Sequence, residues 1–99
     1  VLKQALNDPE PNVRWDAAIA LAKQKDASGK RIFLDLLDRK YLDSFPNLDE
    51  IEQVQVLMVV INIAPLLSDS DLVEPLTQLK NNDSNLKVRE AARKALLNY

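Results

Sequence analysis

The chain has 99 residues, which is enough for one small domain, and it carries a net charge of −2. It contains neither cysteine nor histidine, so its composition excludes disulfide bonds, thiolate catalysis and the usual zinc sites. Hydrophobic residues make up 46% of the chain, aromatic residues 5% and glycine a single position. These values favour a folded helical domain over a disordered or an all-β chain.

The spacing of apolar residues predicts five or six helices, and the first two form a pair. The first runs from Val1 to about Leu6, and the second begins at Pro11 or Asn12 and ends near Gln24. Two prolines separate them, because proline cannot continue a helix and restricts the residue before it. Small and apolar residues at spacings of three and four predict the buried stripe of the second helix: Val13, Ala17, Ala20, Leu21 and Gln24.

The middle of the chain predicts a third helix, a loop and a strongly apolar fourth helix. Asp26 or Ser28 is expected to cap the third helix, which runs to about Lys40. After a loop around 43–46, the spacing of Asn47 and Glu50 resembles a capping box for the fourth helix. That helix is apolar around nearly its whole circumference, which predicts burial on several sides. Its exceptions form a thin polar line, Gln55 and Asn62.

The last part of the chain predicts a second clear pair of helices. Pro65 ends or kinks the fourth helix, and Pro75 falls in the first turns of the fifth, where its missing N–H costs little. A polar turn over 81–85 leads into the sixth helix, from Leu86 to about Leu97. The helices therefore pair as first with second, third with fourth and fifth with sixth. The predicted units of this single domain are 1–25, 26–67 and 68–99.

One helical pattern occurs twice along the chain. Every matching position lies 75 residues after its counterpart, as 88 − 13 = 75 shows. A repeated helix predicts a stacked helical array, and this offset spans two units of about 37 residues each, within the usual range for two-helix repeats. The matched residues are Val13, Arg14, Ala17, Ala20 and Leu21, followed by Val88, Arg89, Ala92, Ala95 and Leu96.

The first and last units resemble HEAT repeats, most closely the HEAT-like repeats of the phycobilisome-lyase type. The resemblance covers roughly half of the chain, whereas the middle unit has no Val-Arg-x-x-Ala at the expected place. It implies an all-α fold, an α-solenoid (α-α superhelix) of about three stacked two-helix repeats. Because the chain starts at Val1 within a helical pattern, we expect it to be a fragment of a longer array. The resemblance rests on Leu2, Leu6, Asp8 to Arg14, Ala17, Ala18, Ala20 and Leu21, and on Glu74 to Leu76, Leu79, Asp83, Val88, Arg89, Ala91, Ala92, Ala95 and Leu96.

Three charged residues of the repeated pattern have a structural interpretation. Arg14 and Arg89 could be taken for anion-binding residues. In HEAT repeats, however, the matching arginine and aspartate usually join neighbouring units. The resemblance therefore implies structural inter-repeat roles for Arg14, Arg89 and Asp8, in which charge-assisted bonds orient the stack.

Two aromatic regions are candidates for protein binding. Trp15 and Ile19 occupy positions that vary between the two similar helices, so they are expected to form an exposed stripe suited to a binding hot spot. The alternative is that Trp15 packs against the fourth predicted helix or a preceding repeat. Tyr41 and Phe45 mark the longer loop, and insertions in repeat proteins often carry recognition elements. The alternative there is that Phe45 covers the end of the core.

The sequence predicts no catalytic, cofactor-binding or metal-binding residues, and the domain is expected not to be an enzyme. Carboxylates cluster between 35 and 52, where solvent-facing positions and helix capping account for them. No glycine-rich phosphate loop or histidine base is present. Nucleic acid is disfavoured, because the basic residues of the second helices are interrupted in the fourth helix. The longest apolar run, Val56 to Ile61, is far too short to cross a bilayer, so no membrane contact is expected.

These observations predict a non-catalytic, cytoplasmic protein–protein interaction or scaffold module. Its concave face, formed by the second helix of each unit, would bind another protein through many modest contacts. One alternative is an accessory domain of another enzyme, or of a chromophore lyase as the resemblance implies. Another is a purely structural spacer. The exposed apolar ends of such an array would also pair two copies of this chain as a homodimer.

Overall fold

The computed structural model describes residues 2–99, and within them the protein is all-helical, with 76% of residues in helices and no strands. The predicted all-α class is confirmed. Three short 3₁₀ turns, Ala27–Gly29, Ala64–Leu67 and Ser70–Leu72, lie between the α-helices. The seven α-helices are α1 Leu2–Ala5, α2 Pro11–Lys23, α3 Lys30–Leu36, α4 Arg39–Asp43, α5 Glu50–Ile63, α6 Val73–Asn82 and α7 Leu86–Leu96.

The helices form a flat body in which α5 is central. The Cα atoms of the protein span 35 × 32 × 16 Å, and the shortest dimension fits two layers of helices packed 8–10 Å apart. α5 packs against α2 on one side and α7 on the other, so these three helices form a row. α1 and α3 pack against α2, and α6 packs against α7.

α5 buries one face and exposes another. Leu57, Val60 and Ile61 are fully buried in the core. On the opposite side, Val59 is 43% exposed, and the polar residues of the predicted line are also exposed. The expectation that α5 would be buried on several sides is therefore wrong at Val59, which lies in one exposed stripe with the predicted polar line of Gln55 and Asn62.

The buried surface of α2 differs from the predicted stripe. Ala17 and Leu21 are buried as expected, but Val13 is 39% exposed and Gln24 is also exposed. A second stripe of α2, which the sequence did not predict, packs into the main core. That second stripe also recurs at spacings of three and four and consists of Trp15, Ala18 and Ala22.

Two predicted helix boundaries were wrong, and side-chain capping explains both. The predicted third helix is divided into α3 and α4, because Asp38 has extended backbone angles and its carboxylate accepts a bond from the amide of Lys40. The capping box of α5 lies two residues later than predicted. Asp49 accepts from the amide of Glu52 at 2.8 Å, and the Glu52 carboxylate accepts from the amide of Asp49 at 3.2 Å.

One helical stretch meets the length and composition required to cross a membrane. It runs over Glu50–Leu67, has a mean hydropathy of 1.5 and combines α5 with the following 3₁₀ turn. A core helix of a soluble protein passes the same test, and α5 packs between α2 and α7. Length and composition alone therefore give this stretch little weight as a membrane span.

Candidate functional site

The three aromatic residues singled out from the sequence form one cluster. Trp15 and Phe45 have ring centroids 5.2 Å apart, Tyr41 and Phe45 5.1 Å apart, and Trp15 and Tyr41 6.2 Å apart, all in edge-to-face geometry. The indole Nε1 of Trp15 also donates to the hydroxyl of Tyr41 at 3.2 Å. The cluster therefore joins α2 to α4 and the turn after it.

The predicted exposure of Trp15 is wrong, because its side chain is only 6% exposed. Trp15 belongs to the main core, and Tyr41 and Phe45 are partly buried against that core. Trp15 packs within the protein, as its alternative interpretation proposed, and its ring contacts are with Tyr41 of α4 and with Phe45, which that interpretation did not name. Phe45 packs at the core as its alternative interpretation proposed. The binding stripe expected on α2 retains only Ile19, which is half-buried at the surface.

A groove separates α2 from α5 on the side where α5 exposes its stripe. It has a volume of 540 Å³, and Trp15 contributes to its wall while Ile19 lines it. We call it the α2–α5 groove. Its remaining lining residues are both polar and apolar: Asn12, Asp16, Leu48, Glu52, Gln55, Val56 and Val59.

A second groove of 400 Å³ lies between α5 and α7, and we call it the α5–α7 groove. The exposed stripe of α5 stands between the two grooves, with Val59 on one side and Met58 on the other. Together, the two grooves and this stripe form a continuous surface, the second-helix face. The α5–α7 groove is lined by Met58, Asn62, Leu86, Lys87, Glu90, Ala91 and Lys94.

The two grooves differ in charge. Asp16 and Glu52 are the ionisable residues of the α2–α5 groove. Lys87, Glu90 and Lys94 line the α5–α7 groove, but both oxygens of Glu90 bond to the guanidinium of Arg93, at 2.5 and 3.0 Å. Arg93 thereby lowers the pKa of Glu90 and offsets its charge. The α2–α5 groove therefore carries negative charge and the α5–α7 groove carries net positive charge.

An arginine outside this face holds the middle and last parts of the chain together. Arg39 donates to both oxygens of Asp83, at 2.7 and 3.1 Å, and to both oxygens of Glu50, at 2.8 and 3.1 Å. The same guanidinium donates to Gln53 at 3.0 Å. Bonds to Asp83 and then to Glu50 raise the pKa of Arg39. A two-pronged arrangement of this kind fixes geometry as well as charge, so it sets the position of α4 relative to the turn before α7.

Lysines on α1 and α3 make a second set of ion pairs. Lys30 at the start of α3 contacts Asp69 at 2.9 Å and Asp71 at 2.5 Å, both in the segment before α6. Lys3 of α1 lies 3.7 Å from Asp26, in the segment before α3. Each pair thus links one helix to the segment that precedes a later helix, at surface positions where single pairs contribute little stability.

The bonds of Arg14 and Asp8 are local and do not join repeats, which corrects the inter-repeat roles predicted for them. Arg14 donates to the backbone carbonyls of Asp8 at 2.8 Å and Pro9 at 3.0 Å, so it fastens the turn before its own helix. The Asp8 carboxylate accepts from the amide of Glu10 at 2.9 Å in that same turn. Arg89 is exposed and acts on Asp83 through its charge, helping to lower the pKa of that carboxyl. Arg39, which the repeat pattern does not contain, makes the long-range bonds instead.

Gln53 is the buried polar residue that sequence reasoning missed. Its amide nitrogen donates to Asp43 at 2.9 Å and to the carbonyl of Leu48 at 3.2 Å, while its oxygen accepts from Arg39. A signal was present, because Gln53 precedes Leu57 by four residues and so lies on the stripe that α5 buries. All five carboxylates between 38 and 52 likewise have structural partners: Asp38, Asp43, Asp49, Glu50 and Glu52.

Residues 2–99 contain no group of three or more acidic side chains arranged to hold a metal ion. Comparisons of the chain with protein-family models, with curated proteins and with solved structures found no match. The function is therefore inferred from the geometry of the second-helix face.

Proposed function

We propose that the chain is a short α-solenoid of HEAT-like repeats. The similar helices α2 and α7 begin at Pro11 and Leu86, and 86 − 11 = 75 is the offset of the sequence repeat. Asp8 and Asp83, also 75 apart, each accept a bond from the amide two residues later, at 2.9 and 3.0 Å. The row formed by α2, α5 and α7 is what stacked two-helix units would produce.

We infer that this module is non-catalytic and binds another protein through the second-helix face. The observation that carries the proposal is the exposed stripe of α5, with Val59 at its middle, between two grooves of 540 and 400 Å³. Val59, 43% exposed, stands between them, with Val56 and Met58 half-buried beside it. Apolar side chains at the centre of a grooved surface, with polar groups around them, are typical of protein-binding sites.

The test compares the same substitution at two aliphatic residues of nearly equal exposure, Val59 inside the second-helix face and Leu66 outside it. Val59→Glu puts a charge at the centre of the second-helix face, whereas Leu66→Glu changes a residue that is 41% exposed and lies outside both grooves. Both variants should keep the helical circular dichroism and the cooperative unfolding of the wild type. A partner captured from source-cell extract and identified by mass spectrometry is then purified, and its Kd is measured for each form.

We expect Val59→Glu to weaken binding by about a hundredfold, because truncating or charging a central contact costs 2 kcal/mol or more. Leu66→Glu should bind as the wild type does. A partner that binds both variants with equal affinity would place the interface elsewhere and contradict the proposal. The absence of any saturable partner would favour the structural spacer.

A further inference from the structure

The two grooves of the second-helix face carry opposite charge, with Val59 and Met58 of α5 between them. Asp16 and Glu52 border the α2–α5 groove, and Lys87 and Lys94 border the α5–α7 groove. Within residues 2–99, Asp16 is exposed and makes no hydrogen bond or ion pair. A ligand crossing the face therefore meets negative charge at the α2–α5 groove, Val59 and Met58 at α5 and positive charge at the α5–α7 groove.

The width of the face sets the length of a matching ligand. Packed helices lie about 8–10 Å apart, so the distance from α2 across α5 to α7 is about 16–20 Å. An α-helix rises 1.5 Å per residue, so about 11–13 residues, or three turns, would span it. Such a helix needs apolar residues along one face to contact Val59 and Met58.

From this charge pattern we propose that the second-helix face binds an amphipathic helix of a partner protein lying across α2, α5 and α7. The helix has a basic residue over the α2–α5 groove and an acidic residue over the α5–α7 groove, about three turns apart. The inference rests on the proposed function and specifies the partner's chemistry. A ligand of one charge sign, such as nucleic acid or a uniformly acidic peptide, would meet like charge over half of the face.

The first part of the test measures binding of three synthetic peptides by fluorescence anisotropy. Each has about 15 residues and the same apolar stripe, which is long enough to cross the face as a helix. One carries arginines at one end and glutamates at the other, the second carries arginines at both ends, and the third carries glutamates at both. The charge-separated peptide should bind about tenfold more tightly than either of the others at low salt.

The second part reverses the charges of the protein. Asp16→Lys should weaken binding of the charge-separated peptide about tenfold, and so should Lys87→Glu combined with Lys94→Glu. All three substitutions together should restore binding, because the peptide can turn end for end. Asp35→Lys, at an exposed site on α3 that lines neither groove, makes the same change in net charge as Asp16→Lys and should leave binding unaltered. Glu52 is left unchanged, since its carboxylate caps α5.

Equal affinity for the three peptides, or no loss on reversing either side, would overturn the inference. It would also be overturned if no peptide bound while a natural partner still depended on Val59, and the proposed function would then stand alone. If the natural partner were insensitive to Val59→Glu, the proposed function itself would fail. The two failures are therefore distinguishable.

Discussion

α2 and α7 share a residue pattern but lie in different surroundings. α2 packs against α1, α3 and α5, whereas α7 packs against α5 and α6. Trp15 of α2 corresponds to Glu90 of α7, and Ala18 corresponds to Arg93 (15 + 75 = 90 and 18 + 75 = 93). Trp15 and Ala18 are buried, whereas Glu90 and Arg93 are exposed and form an ion pair with each other. Among the repeated positions, only Ala17 and Ala92 are buried in both helices. The residues between the repeated positions decide whether a further face is buried.

Even the repeated positions are not equally covered. Val88 is fully buried, whereas Val13 is 39% exposed. The partner helix of α7 is α6, with 10 residues, and the partner of α2 is α1, with four. A shorter partner covers less of its neighbour, so the same valine contributes more hydrophobic stabilisation in the last unit than in the first.

The largest expected effect separates the variable positions of the two helices. Trp15→Ala removes a buried side chain that contacts two other rings and should lower the free energy of unfolding by about 3–5 kcal/mol. Glu90→Ala, at the corresponding exposed position, should change it by less than about 1 kcal/mol. Urea unfolding followed by circular dichroism measures both. A loss below about 1 kcal/mol for Trp15→Ala would contradict the core role of this cluster.

The next effect distinguishes the two equivalent aspartates. Asp83→Ala should lower the free energy of unfolding by about 2 kcal/mol, because the side chain is buried and bonded to Arg39. Asp8→Ala should cost about 0.5–1 kcal/mol, since this carboxylate bonds only to the amide of Glu10 within residues 2–99. Urea unfolding of the two variants side by side gives the difference. Equal losses would show that the Arg39 bonds add nothing to stability.

The Asp83 carboxyl should also make stability depend on pH. Burial by itself would raise its pKa, but bonds from Arg39 and from the amide of Asn85 outweigh burial and hold the pKa below its ordinary 3.8. The unfolded chain therefore binds this proton more readily, and the stabilisation is fully present above pH 3.8 and is lost as pH falls through the folded-state pKa.

Unfolding free energies measured between about pH 5 and pH 2 should thus fall less steeply for Asp83→Asn than for the wild type. Some fall should remain, because contacts with Ser28, Lys30 and Arg93 lower the pKa values of other carboxyls: Asp26, Asp69 and Glu90. Parallel curves for the two proteins would mean that Asp83 does not contribute to the acid sensitivity of the fold.

Local signals predicted the helices well, and long-range contacts account for what they missed. Proline and the apolar spacing placed the start of α2 at Pro11 or Asn12 and the start of α7 at about Leu86, and the structure has them at Pro11 and Leu86. The break at Asp38 was missed because an aspartate within an apolar pattern gives no sign of whether its side chain caps the next turn. Neither the Arg39 network nor the ring cluster could be predicted, since both join residues far apart in sequence.

A closer contact of α2 that α7 lacks can be broken at the single glycine. A Cβ at Gly29 would lie 2.7 Å from the Cβ of Ala18 and 2.8 Å from its Cα, so backbone must move to admit it. Gly29→Ala should lower the free energy of unfolding by about 1–2 kcal/mol through overpacking. Arg93 of α7 corresponds to Ala18 and is exposed, so α7 has no equally close contact at that position. Unchanged stability in thermal unfolding would mean that the 3₁₀ turn shifts away from α2 without cost.

The smallest effect concerns how the two helices end. After α2, Lys25 has φ = 62°, and the amide of Asp26 donates to the carbonyl of Leu21 while that of Lys25 donates to Ala22. This is a Schellman ending, whose left-handed position favours glycine. The residue after α7, Leu97, keeps right-handed helical angles. Lys25→Gly should therefore raise the free energy of unfolding by about 0.5–1 kcal/mol.

Lys23→Gly provides the matched control, because the same substitution two residues earlier falls inside α2. There glycine should lower stability by about 0.5 kcal/mol, since it gains no relief of strain and loses helix propensity. Thermal unfolding of both variants against the wild type measures the two shifts. Opposite signs would establish that backbone angle decides the outcome, whereas a loss at both sites would mean that Lys25 stabilises the helix end through its side chain. In that case charge near the last carbonyls of α2 would outweigh the cost of a left-handed lysine.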